Sequence, residues 1–496
     1  MSEGRRVLSA AFAAFLSLCP APLRSQDIHA SINELSRTEL EGLGVLTPFQ
    51  LESLLDYRRS YGDILSAAEL SAVDGFDAED IESLSALVSF DPSPYESGKV
   101  KNVLSARIRK NWSKEGLSVT SKYSLTSPAL ECGMVLDNDP KERFPDFVSA
   151  YISCKGAIVG DFKACFGQGL VMWNGMSFSS MGEPSAIFSR ETLIRGYKSS
   201  DETDFLRGVA YSGHWGPVSA SSFVALNEKM CGASSSYESG SCRIGVNAIA
   251  GLRSSGGIWA NGSITAYGSM KNLRLFAEAA TSEKLAPAVK IGAILKPEYS
   301  LELASSLWAY APAYKSPHST ASVKDQAGAE LAARYSWRGF KFNANLSYRH
   351  KLSVRSSGTL KYRVCVQYSF ENGTSLLYQF RTGQHRLQAG LVWRDWRFAV
   401  RAEGNLRGYG LYGELSYRRK HFEACARVTR YNTDGWDSRI YFYERDVPQS
   451  FSTVAYYGKG TGAYILLKYT PVRYVDLWLK AQQNYLAFFT RITIPG

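Results

Sequence analysis

The sequence of 496 residues lacks any long apolar run, and its mean hydropathy is mildly negative, at −0.19. A transmembrane helix needs about 20 consecutive apolar residues, so a helical membrane protein is excluded. The eight cysteines show no metal-site spacing, and the six histidines are scattered outside any recognisable nucleophile context. We therefore expect a non-enzymatic protein with no cofactor and no metal. A rim hydrolase, with a hidden nucleophile–base dyad at one end of the molecule, is kept as an alternative.

Two stretches near the C-terminus, Trp396 to Leu406 and Phe422 to Arg430, alternate apolar and polar residues. A period of two places the apolar set on one face of a sheet and the charged set on the other. The apolar face is aromatic at its ends and small or aliphatic in the middle, while the other face is rich in Arg and Glu. Repeated over nearly 400 residues, this pattern predicts a large antiparallel transmembrane β-barrel over residues 100–496.

Strand length for crossing a bilayer predicts about 20 to 24 strands. Short connections such as Arg338-Gly339 and Arg394-Asp395 alternate with longer gaps, at 352–359, 382–385 and 407–410. Short turns on one rim and longer loops on the other are typical of the periplasmic and extracellular ends of a barrel.

Two segments of the barrel region fit this pattern less well. Val171 to Asp204 lacks alternation, so it is either an external loop or a plug folded into the lumen. Turn parity makes Tyr485 to Ile494 the returning last strand, unless the gene is cut short.

The first residues predict export. Arg5 and Arg6 precede an apolar stretch over residues 7–18, which has the length of a signal peptide. We expect cleavage after Ser25, which removes residues 1–25 and sends the mature chain to the outer membrane of a diderm bacterium.

Residues 26–90 predict a small all-α domain, and residues 91–99 form a linker. Leucines recur at helical spacing, and two helix pairs are joined by Gly42-Leu43-Gly44 and Asp74-Gly75-Phe76-Asp77. The pattern resembles a tandem helix-hairpin-helix module, which would lie in the periplasm. The candidate phosphate-binding residues are Gly42, Gly44 and Gly75, because backbone N–H groups at a helix N-terminus bind phosphate.

The charge of this module opposes DNA binding. Residues 27–90 hold three basic and thirteen acidic side chains, a net charge of −10. DNA affinity depends on basic contacts to phosphate, so this surface should repel a duplex. Docking to a periplasmic protein or to the barrel mouth is favoured, and DNA binding or uptake is an alternative.

Residues 91–496 carry a net charge of +19. Part of this charge is expected in the lumen, as Arg alternating with Glu. Part is expected to bind acidic lipopolysaccharide at the outer rim, and the barrel exterior is expected to contact outer-membrane lipid. The densest motif of this region contains Gly160, Asp161, Gly167 and Gly169. No helix pattern follows it, so close backbone approach or a bulge is favoured over phosphate binding.

Cys231 and Cys242 bracket a Gly/Ser-rich segment, so they are a candidate disulfide in an oxidising compartment.

Several of these runs are similar to those of a large family of Bacteroidetes exported proteins. The runs are Glu39 to Gly44, Leu54 to Arg58, Gly160 to Phe162, Phe166 to Leu170, Ser200 to Glu202, Arg207 to Ala210 and Tyr441 to Asp446. The resemblance implies an outer-membrane barrel with a periplasmic helix-hairpin-helix domain, and it implies no particular solute or reaction. A pore, transport or structural role is therefore the leading hypothesis.

Overall fold

The computed structural model describes parts of residues 31–90 and most of residues 100–495. Within the second range, the undescribed positions are 143, 175–183, 190, 271, 299, 321, 322, 324, 355–357, 371, 451 and 452. The predicted signal peptide, the linker 91–99 and the glycines Gly42, Gly44 and Gly75 lie outside the described residues.

The described residues form twenty-seven strands. They are β1 (Lys101–Asn111), β2 (Ser118–Thr126), β3 (Leu130–Asn138), β4 (Phe147–Cys154), β5 (Ala157–Cys165), β6 (Leu193–Gly196), β7 (Leu206–Trp215), β8 (Val218–Ala225), β9 (Met230–Ser239), β10 (Cys242–Leu252), β11 (Ile258–Met270), β12 (Leu273–Ser282), β13 (Pro287–Glu298), β14 (Leu301–Tyr310), β15 (Gln326–Trp337), β16 (Phe340–His350), β17 (Thr359–Ser369), β18 (Ser375–Arg381), β19 (Gln384–Trp393), β20 (Trp396–Asn405), β21 (Gly408–Arg419), β22 (Phe422–Thr433), β23 (Ile440–Tyr443), β24 (Thr453–Tyr456), β25 (Lys459–Val472), β26 (Val475–Gln482) and β27 (Tyr485–Pro495). Two short 3₁₀ turns, Pro184–Ile187 and Trp436–Ser438, lie between strands.

Twenty-four of these strands form a closed antiparallel barrel. The exceptions are β6, which extends the edge of β5, and the separate hairpin β23–β24. The last strand, β27, pairs with β26 on one side and with β1 on the other, from Lys101 opposite Pro495 to Asn111 opposite Tyr485. The barrel and its returning last strand are therefore confirmed, and the strand number lies at the top of the expected range.

Alternation along each strand separates a polar interior from an apolar exterior. On β20, the outward Trp396, Phe398 and Val400 are exposed, whereas the inward Arg401 and Glu403 are buried. The outer surface is therefore apolar and the lumen is charged, which is the arrangement of a barrel that spans a membrane. None of the described residues belongs to a helix long and apolar enough to cross a membrane.

The two rims differ in their connections. On the rim where β1 begins, most turns have two residues, such as 216–217, 240–241 and 394–395. The opposite rim carries the long connections, 166–205, 311–325 and 434–458. The expected longer gaps near 382 and 407 are wrong, because β18–β19 and β20–β21 are joined by two-residue turns.

The described part of residues 31–90 packs around an apolar cluster of its own. The buried members are Ile32, Leu35, Leu40, Leu51, Leu54, Ile64, Leu70, Val73, Phe76, Ile81, Leu84 and Val88. The Asn33 side chain donates to the Ile64 carbonyl at 3.0 Å and accepts from its N–H at 2.7 Å. Leu40, Leu51 and Leu54 are helical and buried, as their spacing suggests.

Candidate functional site in the barrel lumen

Two long connections fold into the lumen. The first inserted segment is defined as residues 166–205, between β5 and β7, and the second as residues 434–458, between β22 and β25. In the first, Phe166, Leu170, Val171 and Met172 are fully buried. The described part of Val171 to Asp204 is therefore a lumenal insertion rather than an external loop.

Apolar side chains on the inner barrel wall receive the first inserted segment. The Phe166 ring lies 6.1 Å from the Phe223 ring of β8. The 3₁₀ turn places Ile187 in a second cluster with wall residues of four consecutive strands, Phe276, Ile294, Ala304 and Ala332. The hydrophobic effect therefore fastens this segment across a broad sector, from β8 to β15.

A single buried carboxylate also holds the first inserted segment. Glu278, on the lumenal face of β12, accepts hydrogen bonds through Oε2 from the backbone N–H groups of Gln168 at 2.6 Å and Leu170 at 3.3 Å. A Cβ at Gly167 would lie 2.8 Å from this same oxygen, and the φ of Gly167 is +58°. The glycine loop therefore wraps an acidic side chain, much as a phosphate-binding loop wraps phosphate, but this group belongs to the protein.

The other half of the glycine motif stays in the barrel wall. A Cβ at Gly160 would lie 2.2 Å from the Ala150 carbonyl oxygen, which fits the close backbone approach expected at this position. Asp161 is buried and pairs with Arg207 of β7, whose Nε and Nη2 lie 2.6 Å and 2.9 Å from its two oxygens. This bidentate pair fixes β5 to β7 where the first inserted segment leaves the wall.

The connection 311–325 clasps the first inserted segment from the same rim. Tyr314 donates its hydroxyl hydrogen bond to the Leu170 carbonyl at 2.7 Å, and the Ser316 hydroxyl donates to the Val171 carbonyl at 2.8 Å. Burial raises the pKa of the Tyr314 hydroxyl, so it remains a donor.

Charged side chains hold the second inserted segment. Arg445 reaches Glu414 of β21 at 3.2 Å, and Arg427 of β22 binds the same carboxylate at 2.5 Å and also donates to the Tyr443 carbonyl at 2.6 Å. The Tyr464 hydroxyl donates to Glu414 at 3.0 Å. The Glu414 carboxylate thus links three strands, β21, β22 and β25, to the second inserted segment.

Two acidic residues of the second inserted segment face basic residues near the barrel seam. Asp446 lies 2.8 Å from Arg109 of β1 and 3.5 Å from Lys480 of β26, and Glu444 lies 3.6 Å from Lys480. The side chains of Asp446 and Lys480 have no solvent exposure. The Asp446–Lys480 pair is therefore fully desolvated, and the loss of Lys480 leaves a buried charge.

The predicted disulfide between Cys231 and Cys242 is wrong. Neither cysteine forms a disulfide bond. Cys231 pairs with Ala250 and Cys242 with Ser239, so they occupy opposite ends of the β9–β10 hairpin. Eight residues of strand separate them by roughly 26 Å, whereas a disulfide needs Cα atoms within about 7 Å.

The histidines yield one Ser–His contact in the described part of the lumen. His214 Nδ1 lies 2.7 Å from the Ser219 hydroxyl. The two residues are directly opposite in the β7–β8 hairpin, and the ring is exposed. This contact is an ordinary cross-strand pair, and it gives the rim-hydrolase alternative no built site.

The sequence does not single out Glu278, Lys480 or Glu414, because each is one polar residue in an ordinary alternating strand. A usable signal was present for the second inserted segment. Tyr441 to Asp446 ends in three charged residues, and it lies in a stretch too long for a turn.

No protein-family model and no curated protein sequence matches the chain. Among solved structures, the P pilus usher translocation pore is 8% identical, with a TM-score of 0.39 over 80% of this chain and 99% of that one. A mutant ferric enterobactin receptor from Pseudomonas aeruginosa is 9% identical, with a TM-score of 0.40 over 81% of each chain. A mutant Rh. blastica porin is 11% identical, with a TM-score of 0.28 over 57% of this chain and 93% of that one. Similarity at this level carries no conclusion about solute or partner.

Proposed function

We propose that the protein is a non-enzymatic outer-membrane pore or transporter whose lumen is narrowed by the two inserted segments. One observation carries the proposal: a closed barrel with an apolar exterior has its longest connections folded back onto an inner wall that is charged outside the apolar sector contacting the first segment. A water-filled passage requires such a lining, and segments in the lumen control its width.

Removal of the second inserted segment tests this function. The Thr433 N–H donates to the Gly458 carbonyl at 2.7 Å, so the ends of the segment are already adjacent. Residues 434–457 can therefore be replaced by an Asn-Gly turn without opening the barrel wall. In planar bilayers, the shortened full-length barrel should show a conductance several-fold above that of the wild type.

A control shortens the exposed connection 112–117, on the same rim, to a two-residue turn. This change should leave the conductance unchanged. If both the wild type and the segment-deleted barrel are electrically silent, the pore proposal fails and a structural role replaces it.

We also propose that the N-terminal module docks at the periplasmic mouth. Asp80 lies near enough to Arg397, on the lumenal face of β20, to interact with it electrostatically. Arg397 follows the two-residue turn 394–395, on the rim where β1 begins. The module's net charge of −10 complements the basic barrel region.

A charge swap tests this docking. Asp80→Arg and Arg397→Asp should each increase proteolysis of residues 31–90 in outer-membrane vesicles, and the double variant should restore protection. Glu34→Arg is the control, because Glu34 is an exposed acidic residue of the same module. Equal effects of all three single changes, without rescue in the double variant, would exclude this contact.

A further inference from the structure

We propose that the lumenal face of β16–β18 forms an oxyanion-selective passage, in a pore of the kind proposed above. The residues that define this basic strip are Arg349, Lys361, Arg363 and Arg381. Carboxylate and phosphate groups are the chemistry that it would recognise.

The basic strip places positively charged side chains next to one another on neighbouring strands. Arg363 of β17 lies directly opposite Arg381 of β18. Lys361, two residues before Arg363 on the same face, interacts electrostatically with Arg349 and Arg381. Like charges directly opposite one another destabilise a sheet, so a structural role does not explain this arrangement.

On other strands of the barrel, basic lumenal residues bind carboxylates of neighbouring strands. Arg427 binds Glu414, Arg491 binds Asp476, and Arg334 binds Glu302. Beside the basic strip, one carboxylate is shared: Glu403 lies 3.0 Å from Arg386, 2.9 Å from Arg401 and 3.9 Å from Arg381. The strands β16–β19 contain several Lys and Arg residues and no Asp or Glu, so this sector of the wall carries an excess of positive charge.

The position of the basic strip also separates it from the inserted segments. The described part of the first inserted segment reaches as far as Ala332 of β15. The second begins its wall contacts at β20, where the Arg401 guanidinium lies 5.4 Å from the Phe442 ring. The strands β16–β19 lie between these two sectors, and their connections at the long-loop rim are 351–358 and the two-residue turn 382–383.

Side chains of the basic strip reach water. The Arg381 side chain is 40% exposed, and Arg349, Lys361 and Arg363 are half-buried. Guanidinium groups in a partly hydrated wall bind planar oxyanions through paired N–H donors, and they raise the local concentration of anions.

The test measures ion selectivity of the full-length protein in planar bilayers under an asymmetric KCl gradient. The wild type should have a reversal potential that favours chloride. The triple variant Arg349→Gln, Lys361→Gln, Arg381→Gln should lower the chloride-to-potassium permeability ratio about threefold or more. Inorganic phosphate should reduce the chloride current of the wild type and should have less effect on this variant.

A matched control removes three positive charges from loops of the rim that carries the long connections: Lys114→Gln, Lys141→Gln and Arg253→Gln. All three residues are exposed, so this variant should keep the wild-type permeability ratio. Cation selectivity of the wild type, or equal ratios in the strip and control variants, overturns the anion passage.

If the wild type carries no current in planar bilayers, the pore function itself is contradicted. In that case, calorimetric titration of the detergent-solubilised protein with inorganic phosphate decides the basic strip. Binding that the triple variant loses supports an oxyanion site in a sealed barrel, and absence of binding to the wild type overturns it.

Discussion

The first inserted segment packs into the lumen mainly through apolar side chains, whereas the second is held mainly by charged ones. Phe166 and Leu170 of the first are buried against the inner walls, with Glu278 as one polar anchor. The second places Glu444, Arg445 and Asp446 against basic and acidic wall residues. Apolar packing is non-directional, while buried ion pairs are lost together when one partner is removed. The two segments should therefore respond differently to single substitutions.

The largest expected effect is at Lys480. Lys480→Met leaves Glu444 and Asp446 with less compensating charge in a buried site, which should cost about 3–5 kcal/mol in the free energy of opening the second inserted segment. Native-state hydrogen exchange of the amides in 440–447 measures this free energy. Unchanged exchange in 166–174 serves as the internal control, and equal changes in both segments would show that they open together.

A cavity in the first inserted segment should have a slightly smaller effect. Leu170→Ala removes a fully buried side chain and should cost about 2–5 kcal/mol in the opening of residues 166–174. The same exchange measurement should find the second inserted segment unaffected. A cost below about 1 kcal/mol would mean that the lumenal packing around Leu170 collapses to fill the space.

The smallest effect isolates the glycine loop around Glu278. Gly167→Ala adds a Cβ 2.8 Å from the Glu278 oxygen, at a residue whose φ is +58°. This change should lower the free energy of opening residues 166–174 by about 1–3 kcal/mol, as measured by the same hydrogen exchange. Gly216→Ala is a matched control, because its φ is +59° and nothing lies within 4 Å of the added Cβ. If both variants cost the same, backbone strain alone explains the loss, and the contact with Glu278 contributes nothing.

The local sequence pattern was sufficient to predict which side of the barrel wall each residue faces, because apolar and polar residues alternate with a period of two along a strand. Trp396, Phe398 and Val400 point outward, and Arg401 points inward, as the alternation predicts. The same signal failed where sequence proximity was taken for spatial proximity. Cys231 and Cys242 are eleven positions apart along the chain, but a hairpin sends them to opposite rims.

The lumenal contacts could not be read from the pattern, since they join residues far apart in the chain. Gly167 and Gly169 indicated a loop that approaches something closely, yet Glu278 lies more than a hundred residues further along. Ile440 to Tyr443 pairs with Thr453 to Tyr456 in a hairpin inside the barrel, and no local pattern in the sequence indicated this pairing.

The sequence by itself determined a large antiparallel barrel with an apolar exterior, a charged lumen and an acidic N-terminal module, because these follow from periodicity, turn length and charge. The tertiary structure alone decided which connections enter the lumen, which ion pairs hold them and where the basic strip lies. Those features depend on which strands lie next to one another in the closed barrel. Closure pairs the first strand, β1, with the last, β27, although nearly 400 residues of chain separate them.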